Sequence, residues 1–69
     1  MVQEHQGDVI IEMIQVGNAV KVTAIDAAMG IEVSIVGAPS INEEVLKRNA
    51  VNKLNYVLRK GGGNGPARA

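Results

Sequence analysis

A glycine-asparagine pair, Gly17-Asn18, separates two stretches of alternating sequence, and that arrangement restricts this chain more than any other feature it carries. On its N-terminal side Val9, Ile11 and Met13 alternate with Ile10, Glu12 and Ile14 in a run rich in β-branched residues, the pattern of a partly buried strand. A two-residue Gly-Asn loop reverses the chain tightly, because glycine takes positive φ without steric cost and asparagine tolerates it. Pairing Val16 with Ala19 across that loop sets Met13 opposite Val22 and Ile11 opposite Ala24. The apolar positions of both strands then share one face, which a slip of one residue would destroy.

A second loop is expected at Asp26-Ala27-Ala28-Met29-Gly30, with Asp26 bonding nearby backbone amides and Gly30 supplying a left-handed residue. Ile31, Val33 and Ile35 continue the inner face on a third strand, which Gly37-Ala38-Pro39 ends. Ser40 and Glu43 have the spacing of a capping box, in which each side chain satisfies an otherwise unpaired amide at a helix start. Leu46, Ala50, Val51, Leu54, Val57 and Leu58 then form one broad apolar stripe at helical spacing, and Gly61 is placed as the C-terminal cap. The sequence therefore predicts an α+β domain over residues 8–61, a three-stranded antiparallel meander followed by one helix packed on one sheet face. Residues 1–7 are expected to form a flexible lead, and the glycine-rich residues 62–69 a disordered tail.

Length and composition narrow what such a domain can do. Sixty-nine residues support one small core. Positive and negative side chains cancel, so no overall field draws the chain to nucleic acid, an anionic membrane or an acidic substrate. With no cysteine, disulfides, thiolate metal sites and cysteine nucleophiles are excluded. The start of the chain does not read as a signal peptide and no apolar run reaches bilayer length, which leads to the expectation of a cytoplasmic protein that does not engage the membrane. Tyr56 is the sole aromatic residue, so the core must be aliphatic.

The run Gly17-Asn18-Ala19-Val20-Lys21-Val22-Thr23-Ala24-Ile25-Asp26, the run Glu32-Val33-Ser34-Ile35-Val36-Gly37 and the helical segment from Ala50 to Leu58 resemble a family of short bacterial proteins of unknown function. The likeness spans most of the chain between Asp8 and Lys60. It implies a bacterial cytoplasmic origin and carries no catalytic residue, substrate or cofactor with it.

No constellation of residues reads as catalytic. His5, the only histidine, would need Glu4 and Asp8 in an unusual local chelate to hold a metal. Glu12 and Glu32 lie on the outer face in different rows, too far apart in register for paired acid and base chemistry. Ser40 has no histidine base, and the glycine run from Gly61 follows a helix where a phosphate loop would precede one. No metal site and no cofactor are expected, and the chain is read as a non-enzymatic protein.

Three surfaces remain as candidates. The outer sheet face carries Ile10, Ile14, Ile25 and Val36 around Lys21, an apolar patch that one helix cannot also cover. With edge strands lacking proline or a clear charge guard, it makes pairing with a second copy, or with another protein by strand addition, the leading reading. Lys47, Arg48, Lys53, Arg59, Lys60 and Arg68 offer an alternative, weak contact with a nucleic-acid backbone. A β-β-β-α order also describes the later part of double-stranded RNA-binding domains, but here the first helical turn is acidic and a leading helix is missing. A third reading, a small-ligand site or accessory enzyme subunit, centres on the polar stripe Asn49, Asn52 and Tyr56, in a chain with little concave volume.

Overall fold

A computed structural model describes residues 2–60. Four strands, β1 (Val2–Gln6), β2 (Val9–Val16), β3 (Ala19–Asp26) and β4 (Ile31–Gly37), precede one helix, α1 (Glu43–Arg59). The sheet is antiparallel throughout, with its strands side by side in sequence order. The α+β meander with a following helix agrees with the sequence reading; the strand count does not. The residues expected to form a flexible lead include β1, which pairs with β2 from Val2 opposite Met13 to Gln6 opposite Val9.

The physical cause lies in the Gly7-Asp8 turn. Gly7 has φ +62° and Gly17 has φ +59°, while among the described residues no non-glycine residue has positive φ. Both two-residue loops thus place left-handed glycine first, the arrangement of a type II′ hairpin whose twist matches that of the flanking strands. Asn18 accordingly keeps negative φ, contrary to the role expected of it.

The expected register of the central hairpin is the observed one, with Val16 opposite Ala19, Met13 opposite Val22 and Ile11 opposite Ala24. At the β3–β4 loop Gly30 has φ +73° and donates its N–H to the Asp26 carbonyl at 2.8 Å. The Ala27 N–H donates to the Asp8 carbonyl at 2.9 Å, tying this loop to the β1–β2 turn.

Ile11, Met13, Val22 and Ala24 on the inner face meet Leu46, Ala50 and Leu54 of the helix, with Ile31, Val33, Ile35, Val51 and Leu58 packed around them. Burial of each large aliphatic side chain contributes about 1.5–3 kcal/mol, which lets a core without aromatic rings hold. The helix lies over β3 and β4, with the Leu46 side chain against Gly37. A Cβ on Gly37 would stand 2.5 Å from Leu46 Cδ2, so any larger residue here would force the Leu46 side chain to shift.

The helix start differs from expectation. Ile41 donates its N–H to the Ala38 carbonyl at 3.0 Å, closing a turn over Ala38, Pro39, Ser40 and Ile41. Proline suits the second position of such a turn, which carries the chain off β4 before the helix begins. Ser40 is spent in that reversal. Asn42 is the N-cap instead, accepting the Glu44 N–H on Oδ1 at 2.7 Å, and Glu43 and Glu44 place negative charge against the helix N-terminus. At the other end the Lys60 N–H is shared between the carbonyls of Tyr56 and Val57. The expected Gly61 cap and the tail lie outside the described residues.

Candidate interaction surface

Because side chains alternate across a strand, the register places every candidate on the outer face in a defined row. Ile10 stands opposite Ile25, and Ile25 opposite Glu32. Glu12, Thr23 and Ser34 form the next row, in which the Thr23 and Ser34 hydroxyls lie 2.9 Å apart. Ile14, Lys21 and Val36 form the third. Glu12 and Glu32 therefore sit in different rows with β3 between them, a geometry that does not join them in acid and base chemistry.

The five outer-face candidates are thus brought onto one surface, but unequally exposed. Val36 is 69% exposed and Ile14 38%, whereas Ile10 and Ile25 are half-buried beside one another. Sequence reasoning passed over Val16, which lies on the same face at 60% exposure. Its signal was available, since it continues the alternation that already assigned Ile10 and Ile14 outward. The apolar part of this face is therefore concentrated at the Gly17-Asn18 end, around Lys21.

The strand boundaries also move the sheet edges. The strand expected to be first, Val9–Val16, lies between β1 and β3, so the edges are β1 and β4. His5, expected in a loose lead, stands in β1 opposite Ile10.

The basic residues do not gather on one surface. Lys47 is buried and its Nζ lies 2.6 Å from Glu4 Oε2 and 3.0 Å from Glu44 Oε2. Hydrogen bonds that Lys47 donates to Glu4 and then to Glu44 raise its pKa above the ordinary value of 10.5, against the opposing effect of burial. Lys53 Nζ donates to the Ser34 carbonyl at 3.0 Å. Arg48 and Arg59 are exposed, Lys60 Nζ stands 5.7 Å from the centre of the Tyr56 ring, and Arg68 lies outside the described residues.

Asn49, Asn52 and Tyr56 are exposed on the helix. A cavity of about 260 Å³ opens between the β2–β3 hairpin and the start of the helix, lined by Met13, Gln15, Val20, Pro39, Ile41 and Leu46 among others. None of the polar stripe reaches it. Among the described residues no group of three or more histidine and carboxylate side chains is arranged to hold a metal ion, and no helix is long and apolar enough to cross a membrane.

Fold and surface together define a small α+β domain with a helix on one sheet face and a mixed apolar and charged face left open. The chain belongs to the family described as a domain of unknown function, DUF6898, whose model matches residues 6–61. No curated protein and no solved structure matches it.

Proposed function

We propose that this chain is a non-enzymatic interaction module of the bacterial cytoplasm that works through its sheet, by pairing its outer face with that of a second copy. The observation that carries the reading is the exposed cluster Ile14, Val16 and Val36 around Lys21, on the face opposite the helix. Covering it removes apolar surface from water, the main favourable term in protein association. Charge supports self-recognition as well. Lys21 shares the face with Glu12 and Glu32, so a two-fold axis can set the ammonium of one copy against a carboxylate of the other. The bacterial and cytoplasmic assignment is supported by the resemblance of the segments around Lys21 and Ser34. Contact with a nucleic-acid backbone ranks lower, because Lys47 is held by two carboxylates and Lys53 by a carbonyl.

Sedimentation near neutral pH tests the proposal. Twice the monomer mass is expected at micromolar to millimolar concentration, with Val36→Lys, Ile14→Lys or Ile25→Lys moving the protein towards monomer. A wild-type chain that remains monomeric at millimolar concentration would overturn it.

A further inference from the structure

The two edges of the sheet are not equivalent, and the β4 edge has a feature that points to a ligand. In an antiparallel pair, alternate residues direct both backbone groups towards the partner strand or away from it. Val16 and Ala19 close a two-residue hairpin and exchange backbone bonds. Counting from them, Val20, Val22, Ala24 and Asp26 bond towards β4, and Ile31, Val33, Ile35 and Gly37 answer them. Glu32, Ser34 and Val36 therefore present their N–H and carbonyl groups outward, where among the described residues no strand follows. The Lys53 bond to the Ser34 carbonyl agrees with this count. A helix lysine occupies the central acceptor that an added strand would use.

The flank of this edge is basic. Leu46 meets Gly37 and Lys53 meets Ser34, so α1 runs beside β4 in the opposite direction, and Tyr56 and Lys60 follow Lys53 on the same side of the helix. Lys60 stands by the Tyr56 ring, and both are exposed. An extended segment laid along β4 would project alternate side chains towards this flank.

We propose that the β4 edge is a docking groove for an extended acidic peptide segment of another protein, which adds as a fifth strand and draws Lys53 from the Ser34 carbonyl to its own carboxylate. The exchange leaves no group unpaired: a peptide N–H replaces the ammonium at Ser34, and the ammonium gains a charged acceptor. Lys53 thus disfavours neutral and basic strands at this edge, as edge lysines do, relative to acidic ones. This site is distinct from the outer face and does not depend on self-association.

A blocked hexapeptide alternating glutamate and valine, titrated into the full chain and followed by backbone amide shifts, tests it, with the same peptide carrying lysine for glutamate as the comparison. The expected result is saturable shifts centred on the amides of Glu32, Ser34 and Val36 and on Lys53, with about tenfold weaker binding of the basic peptide. Lys53→Gln, which keeps a donor for Ser34, should bring the two affinities together. The proposal fails if the shifts centre on Ile14 and Lys21, if neither peptide binds at millimolar concentration, if both bind the wild type alike, or if Lys53→Gln keeps the preference. Sedimentation of the unliganded chain reads the outer-face proposal separately.

Discussion

Lys47 Nζ lies 2.6 Å from Glu4 Oε2, joining the helix to the first strand between residues 43 apart in sequence. Lys47 is buried while Glu4 keeps 37% of its side chain exposed, so the lysine depends on the glutamate more than the reverse. Removing the carboxylate charge leaves a buried ammonium with the exposed Glu44 as its one charged partner among the described residues.

Glu4→Gln should therefore loosen β1 in particular. By the hairpin register, Ile11 and Met13 direct their backbone groups to Glu4 and Val2. Hydrogen exchange should accelerate at the Ile11 and Met13 amides in this variant while the Val22 amide, on the β4 side of β3, changes little. A uniform acceleration would show that the pair supports the whole domain and not the attachment of one strand.

The same pair sets an alkaline response. The folded state raises the Lys47 pKa above 10.5, so its contribution to stability is complete below that pH and is lost as pH rises through the folded value. Denaturation followed from pH 9 upward should show a loss of stability beginning above pH 10.5, part of which Lys47→Met abolishes. The difference between the wild-type and Lys47→Met curves isolates Lys47.

Gly37→Ala should destabilise the domain by up to about 3 kcal/mol, the upper end of the usual cost of overpacking, and by less to the extent that Leu46 turns into the cavity it lines. Adding Leu46→Val removes the clashing methyl and should recover part of the loss. Urea denaturation of the single and double variants measures the coupling directly.

Asn42→Ala should cost about 0.5–2 kcal/mol through the lost N-cap. Ser40→Ala, two residues earlier in the turn, should fall within about 0.5 kcal/mol of wild type. Thermal denaturation distinguishes them, and the opposite order would place the cap at Ser40.

Much of the fold was legible because its signals are local. Gly17-Asn18 and the period-two pattern set the hairpin register, and the apolar stripe from Leu46 to Leu58 set the buried helix face. Gly7-Asp8 repeats the first central glycine of Gly17-Asn18 and could have revealed β1. The polar sequence before it hid the strand, because Glu4 occupies an inward position where an apolar residue is usual. Lys47 was misread for the related reason. It precedes Val51 and Leu54 at helical spacing, which places it on the inner stripe, but a charged residue there makes sense only once an anion is known to lie opposite.

The sequence by itself determined the strand alternation, the tight turns, the helix and the sidedness of each, since these depend on neighbours a few residues apart. Tertiary structure alone decided that Glu4 meets Lys47, that Lys53 reaches the Ser34 carbonyl and that a Cβ on Gly37 would press on Leu46. Each of these depends on the distance and angle at which α1 crosses the sheet. That placement follows from how Leu46, Ala50 and Leu54 fill the space over Val22 and Ala24, a packing condition written in no single segment of the chain.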